Sequence, residues 1–453
     1  MKLLIDKGWV IPVDGRRDSI ENGAVAIDGA RIVAVGPRDE VVKSFTADRT
    51  IDATGKAVLP GFVNTHSHLM GAFNKGLTED PPTLSGGLFS LAMPLQREYI
   101  RPEEVYWPAM MHAMETVKTG TTTINEVWWF EREVAKTVRD LGLRAVIAEN
   151  ISEHDLTKLH PDHEERHYDA DEGKRAIEAA LAVIDEWHGK ADGRITCKFG
   201  PFSADTCSER TLLAIKDLAE KRGLGYHVHL AQIPGEVEYM RRAYSKGSVE
   251  YLYGLGYLSP KFVGAHCVFM TREEVAMMKD SGAHMSHTAY LVGKRGYFPP
   301  MTEVYRQGVS VSIGADWLSN DVFKIMRAAI LLGRHQAKSP AIIDGPRVLE
   351  FATMGGARAL GLDREIGSLE PGKRGDLFLL NLRVPWLHPI RPQNIVSNIV
   401  YNANGSDVTD VIIDGRVVVE AGRCVTVDED EAFRECDRAA KVVWARARAL
   451  FDV

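Results

Sequence analysis

Between residues 57 and 315 the chain alternates short apolar runs with helical stretches, and it does so eight times. The strand candidates are 57–63, 121–126, 144–148, 195–199, 224–230, 262–267, 283–287 and 309–315. Helical patterns over 102–118, 172–188, 208–222, 271–280 and 324–337 lie between several of them. Apolar strands joined by helical crossovers make a parallel sheet buried on both faces. Eight such units in series predict a closed (β/α)8 barrel. A barrel uses on the order of 250 residues or more as one unit. The 453-residue chain therefore reads as one large domain plus a small one.

The small one comes from the two ends. Residues 24–35, AVAIDGARIVAV, place Asp28-Gly29 between two β-rich runs, and Asp414-Gly415 sits between runs at 408–413 and 416–420. Asp-Gly between strands is a hairpin signal. Neither stretch is large enough for its own core, so the two are expected to pair. The predicted class is α/β: a (β/α)8 TIM barrel over 57–365, with a small β-sandwich-like domain built from 1–56 and 366–453. A terminal helix is expected over 430–450. Two unrelated surface appendages are the alternative.

Composition of 45% hydrophobic and 26% charged residues excludes a disordered or fibrous protein. Fifty-five Lys and Arg stand against 62 Asp and Glu, a formal net charge of −7. That sign argues against nucleic acid or anionic membrane as partner, since both call for clustered positive charge. The five cysteines form no Cys-x-x-Cys pair and read as reduced thiols. Asp6 and Lys7 interrupt the first apolar run too early for a signal-peptide core, and no run approaches the roughly eighteen apolar residues that span a bilayer. The expectation is a cytoplasmic homo-oligomer whose partner is a small-molecule substrate.

In a barrel of this kind catalytic groups stand at the C-terminal ends of strands. Here the first strand is followed by Asn64-Thr65-His66-Ser67-His68, and the fifth ends in His227-Val228-His229. The sixth carries His266, the seventh ends at His287, and the eighth ends in Gly314-Ala315-Asp316. Residues two apart in extended chain share a face, so His66 and His68 can grip one ion. A single His-x-His means little, and a buried core histidine is the ordinary reading of each alone. Five strand ends in register point to a catalytic metal centre. Three imidazoles and a carboxylate suit zinc or iron(II) with a position left for water, whose pKa the ion would lower.

The strings VLPGFVNTHSH, HVHLAQIPGE, GAHCV and VSVSIGAD, with the later GSLEPGKRGDLFLLNL (367–382), resemble the amidohydrolase superfamily. The similarity is to its cytosine deaminase-like branch, which includes S-adenosylhomocysteine and guanine deaminases and triazine hydrolases. The resemblance implies His66, His68, His229 and Asp316 as ligands of one divalent ion, zinc before iron(II). It makes Asp316 also the general base and His266 the residue that polarises the substrate or steers the water. His227 reads as structural, one layer deeper.

Three departures accompany the match. Deaminases of the branch carry a proton-shuttling Glu where this chain has Gln232, and an amide donates a hydrogen bond but delivers no proton. Glu236, four residues on, could swing in, although the resemblance places it on a helix outside the centre. Gly200-Pro201-Phe202 replaces a Gly-Pro-His, substituting an aromatic wall for a polar contact. The segment TAYLVGKRGYFPP after His287 differs as well, and its Lys294 and Arg295 could meet an anionic or carbonyl group or simply be solvated. Lys198 does not match a bridging-lysine motif. Trp128, Trp129, Phe130, Phe199 and Phe202 suit either a flat-ring pocket or the core; Trp128, Phe202, His287 and Lys294 are the candidate substrate contacts, and Asp316, His266 and Gln232 the candidate catalytic residues. The expected activity is hydrolysis of non-peptide carbon–nitrogen bonds, foremost deamination of an N-heterocycle or amidine. An amide, urea, carbamate or other leaving group is the alternative that Gln232 raises, and a non-catalytic binding protein the distant one.

Overall fold

The computed structural model describes residues 1–16, 18–80, 87–159, 165–317 and 319–450. Five strands open the chain: β1 (Lys2–Val10), β2 (Ile20–Asp28), β3 (Arg31–Pro37), β4 (Arg49–Asp52) and β5 (Lys56–Pro60). A helix over Arg38–Ser44 separates β3 from β4. Nine barrel segments follow: β6 (Phe62–Ser67), β7 (Thr121–Trp128), β8 (Arg144–Ile151), β9 (Ile195–Cys197), β10 (Gly200–Pro201), β11 (Tyr226–Leu230), β12 (Phe262–His266), β13 (His284–His287) and β14 (Ser310–Ile313). The last four strands are β15 (Leu377–Asn381), β16 (Val408–Ile413), β17 (Arg416–Glu420) and β18 (Arg423–Cys424).

The two ends of the chain meet in one nine-stranded sheet, ordered β18-β17-β16-β15-β5-β1-β2-β3 with β4 beside β1. The join is antiparallel pairing of β5 with β15, Val58 opposite Leu379. Leu3, Ile5, Val25, Ile27, Val58, Leu377 and Leu379 are buried together on it. Both hairpins form. In the second, Asp414 (φ 55) and Gly415 (φ 72) are both left-handed, as a two-residue turn matched to strand twist requires.

The barrel strands pair in parallel from β6 through β7 and β8 to β9 and β10, and from β11 to β14. Bridges at Phe199–Tyr226 and Ser67–Asp316 join these two arcs into a closed ring. Every residue of β6, β7, β11, β12 and β13 is buried, which explains apolar runs without polar alternation. Helices flank the ring close to their expected positions, including Ala170–Trp187, Glu209–Arg222, Arg272–Ser281 and Val322–Ala337. Thr271 and Glu274 form a capping box on the third of these. The terminal helix is Glu429–Arg446. Among the described residues no helix is long and apolar enough to cross a membrane.

Three strand boundaries differ from expectation. The run 57–63 divides at Gly61: β5 belongs to the nine-stranded sheet and β6 starts the barrel. A Cβ at Gly61 would lie 2.0 Å from Thr122 Oγ1, so only glycine passes at this crossing. The run 195–199 breaks because Phe199 leaves β8 to take the Gly225 carbonyl. The last strand stops before Asp316, whose φ of 63 turns the chain out of the sheet.

Candidate metal centre

Strand ends from four positions around the ring deliver His66 and His68, His229, His266 and Asp316 to one point. His66 lies on β6 and His68 follows it directly in extended backbone, so the two-residue period sets their rings side by side, 4.6 Å apart. Asp316 (φ 63) and His266 (φ 73) hold left-handed backbone, a conformation that costs a non-glycine residue free energy and clusters at functional sites. Gly314 makes the approach possible, since a Cβ there would stand 2.5 Å from Ser286 Oγ and 2.8 Å from His66 Cβ.

Asp316 Oδ2 lies 3.6 Å from the Nε2 atoms of both His66 and His266, and Oδ1 lies 3.6 Å from His68 Nε2. His229 Nε2 is 3.5 Å from His68 Nε2. Two donors each ~2.1 Å from a common ion at a tetrahedral angle stand about 3.4 Å apart. The separations therefore fit a bound ion and are too long for hydrogen bonds. His66 Nε2 and His266 Nε2 are buried without any hydrogen-bond partner, a costly arrangement unless a ligand completes it.

Each ring is fixed from behind. His68 Nδ1 donates to Val127 O at 2.5 Å and His229 Nδ1 to Phe202 O at 3.0 Å. His66 Nδ1 lies 2.8 Å from His227 Nε2, and His266 Nδ1 lies 2.8 Å from Thr288 Oγ1. Such outer contacts set the tautomer and aim the free nitrogen. His227 thus supports His66 from one layer below. Burial pushes His66 and His229 down to about 3, and His68 and His266 well below the usual imidazole range. All four are neutral at pH 7, the form that ligates.

Aromatic side chains wall one side. Trp128 lies 4.3 Å from the His68 ring, and Phe202 stacks on His229 at 4.4 Å. Trp317, not singled out from the sequence, closes the corner against Trp128 at 5.9 Å. Phe199 is instead fully buried core. Beside the wall a cavity of about 1100 Å³ opens, lined by Trp129, Glu149, Asn150, Glu153, His154 and Arg97 among others.

The remaining candidates fall into place unevenly. His287 is fully buried at the end of β13 with neither ring nitrogen hydrogen-bonded, and Phe298 meets it edge-on. Gln232 follows β11, and its backbone N–H is taken by Glu236 Oε2 at 2.7 Å while Oε1 accepts from Ala231 N. Glu236 is buried, and desolvation raises its pKa to about 8. Both its oxygens brace the loop, so it does not substitute for the missing acid. Lys294 stands exposed and is not drawn to the centre. Lys198 points at Ala359 O, 3.3 Å away, and neither cluster of metal-competent side chains found among the described residues includes it.

Two polar residues were missed from the sequence. Asn64 Oδ1 accepts from His66 N and Ala315 N, clamping β6 to β14. Glu126, fully buried at the end of β7, accepts from Leu69 N at 2.6 Å. The strand-end criterion that found Asp316 would have found Glu126 as well.

The model of the amidohydrolase family matches residues 57–418. The chain is 33% identical to the 5-methylthioadenosine/S-adenosylhomocysteine deaminase of Moorella thermoacetica over 439 residues, covering 96% of this chain and 98% of that one. It is 31% identical to the 5'-deoxyadenosine deaminase of Methanosarcina acetivorans, covering 99% of each. A zinc-bound adenosine deaminase from Xanthomonas campestris superposes with a TM-score of 0.89 at 26% identity, over 98% of both chains. A closed parallel barrel, strand-end histidines and an aspartate around one point, and matches of this extent agree: the chain belongs to the amidohydrolase family.

Proposed function

We propose that this protein is a metal-dependent hydrolase of non-peptide carbon–nitrogen bonds that deaminates a flat N-heterocycle or amidine. The observation carrying the reading is the convergence of four neutral imidazole Nε2 atoms and one carboxylate, at 3.5–3.6 Å spacing, against an aromatic wall. His66, His68, His229 and Asp316 would hold one divalent ion. Zinc is preferred over iron(II), since three imidazoles and a carboxylate suit it and the adenosine deaminase of like fold carries zinc. Such an ion, when bound, lowers the pKa of the reacting water and polarises the substrate.

The chain's own residues do the rest. Trp128 and Phe202 press the ring flat. Asp316, steadied by Trp317 N at 2.9 Å, accepts the proton of the attacking water as a carbon–oxygen bond forms. His266, its ring fixed by Thr288 Oγ1 at 2.8 Å from Nδ1, turns Nε2 toward the group being attacked and orients it. The carbon–nitrogen bond then breaks and ammonia leaves with the proton gained. Gln232 offers a hydrogen bond but no proton, and Glu236 is committed elsewhere. These two facts favour a second reading, in which the leaving group needs no ring protonation: an amide, urea, carbamate or other substituent. A non-catalytic binding protein is disfavoured because all four candidate ligands and their supports are intact.

The wider assignments stand on the same footing. The nine-stranded sheet is read as the β-sandwich-like domain expected from the two chain ends, with the first boundary moved from 56 to Gly61, so that 62–365 form the barrel and 366–453 the second part of the small domain. A cytoplasmic setting is supported by five free cysteines. A homo-oligomer is supported by Phe433, Val442 and Trp444, exposed on the terminal helix. A screen for ammonia release over aminopurines, aminopyrimidines and aminotriazines tests the function. Turnover that needs the metal supports deamination; none across the panel, with hydrolysis of amides or ureas instead, supports the second reading.

A further inference from the structure

Trp128 ends β7 against the metal centre, its ring 4.3 Å from that of His68 and 6.3 Å from that of His229. The outer torsion of an indole side chain is broad and roughly two-fold, so packing alone leaves open which edge it turns to its neighbours. Here a polar contact decides. The helical turn Leu95–Tyr99 lies in the connection from β6 to β7, and its Gln96 accepts a hydrogen bond from Trp128 Nε1 through Oε1. The next residue, Arg97, stands 5.6 Å from the Trp129 ring and pairs with Glu172 at 2.6 Å. One turn thus grips both indoles of the wall.

The contact on Trp128 comes at a cost. Gln96 is fully buried. An indole nitrogen only donates, so the amide atom facing it is the oxygen, and the amide nitrogen has to find its acceptor elsewhere. Among the described residues it finds none, and an unmet buried donor lowers stability. For packing alone, a phenylalanine against a methionine would fill similar space with no polar atom to satisfy. A buried polar pair of this kind fixes one orientation. The metal ligands on either side do not depend on it, since His68 is held by Val127 O and His229 by Phe202 O. What the bond fixes is the aromatic face.

We propose that Gln96 is a positioning residue for ring binding: it holds the Trp128 edge so that the indole face stacks on a flat ring whose reacting carbon sits at the metal centre. Gln96 acts on the ring through Trp128 and not by contact. The proposal rests on the reading that the centre seats a flat ring.

The zinc-loaded enzyme is titrated with adenine, cytosine and melamine, reading Kd where the ring is inert and KM with kcat where ammonia is released. Gln96→Met should weaken the best-bound ring about tenfold, since a well-set aromatic contact is worth about that factor. It should move kcat much less, because a stacked face holds substrate and transition state alike. Metal content and circular dichroism are expected to match wild type. Gln96→Glu keeps an oxygen toward the indole and should bring affinity back to within about threefold of wild type. Trp128→Phe has no N–H to hold, so adding Gln96→Met to it should weaken binding no further. A fall in kcat at unchanged KM, an affinity of Gln96→Met within about twofold of wild type, or an equal loss in the Trp128→Phe background overturns the proposal. Should Gln96→Met not fold, the indole N–H resonance of Trp128 in wild type, assigned by its absence from Trp128→Phe, decides. Slow exchange with solvent and a shift on ring binding support the proposal; fast exchange or no shift overturns it. Ring binding that ignores Gln96→Met sinks this inference alone, and no binding of any of the three rings removes the flat-ring reading with it.

Discussion

On the proposed reading Asp316 does two things at once, holding an ion and taking a proton, and its φ of 63 is the conformational cost of placing it there. Asp316→Asn keeps the size and loses the charge. Turnover should fall at least about 100-fold, since general-base terms are worth roughly 10²–10⁴, while circular dichroism stays native. A variant keeping more than a tenth of the wild-type rate would remove Asp316 from the base role. Gln232 is the sharper test, because family likeness and chemistry diverge there. If only a hydrogen bond is needed at that position, Gln232→Glu should slow turnover, since it adds a carboxylate three residues after His229 and loses the amide donor. A variant faster than wild type would mark the protein as a deaminase with a weakened shuttle. At this scale the sequence was most informative where chemistry is written in residue type and strand position, as with His66, His68, His229 and Asp316. It was silent on partners chosen by tertiary contact: Trp317 against Trp128, and Asn64 across to Ala315.

The helices act as props for the loops at the barrel mouth. Pro234–Tyr244 places Glu236 under the turn that carries Gln232, and Tyr106–Lys118 places His112 under the turn after His68, where its Nδ1 donates to Leu69 O at 3.2 Å. His112 is fully buried, and burial lowers its pKa to about 4. Below its unfolded value near 6.5 the unfolded chain binds a proton that the folded chain refuses. Stability from this group is thus intact at pH 7 and is lost as pH falls from 6.5 toward 4. Between pH 7 and 5 the loss is about 2 kcal/mol. Urea unfolding of wild type and His112→Gln at the two pH values should give a smaller pH-dependent loss in the variant; an equal loss would show that His112 titrates normally. Elements were legible where a period or a hairpin turn repeats, and less so where hydrogen bonds change partner, as at Gly61 and Phe199.

For the molecule as a whole, the barrel and the nine-stranded sheet are locked by Arg144 on β8, which reaches Asp376 before β15 and Asp414 in the β16–β17 turn. The cluster is almost fully buried, so removing one acid leaves charge uncompensated. Asp376→Ala should cost roughly 3 kcal/mol, and the double change Asp376→Ala, Arg144→Met should cost less than Asp376→Ala alone. A single variant as stable as wild type would mean that the two parts do not depend on this lock. The pairing of the chain ends was foreseeable from two half-built hairpins; this ionic lock, spanning more than half the chain, was not. The architecture exists to hold strand ends around one point, and anomalous diffraction at the zinc edge from crystals of the zinc-loaded protein asks directly whether that point holds an ion. We expect one peak per chain, shared by His66, His68, His229 and Asp316. No peak there, two peaks, or a peak beside Lys198 would contradict a single-ion centre.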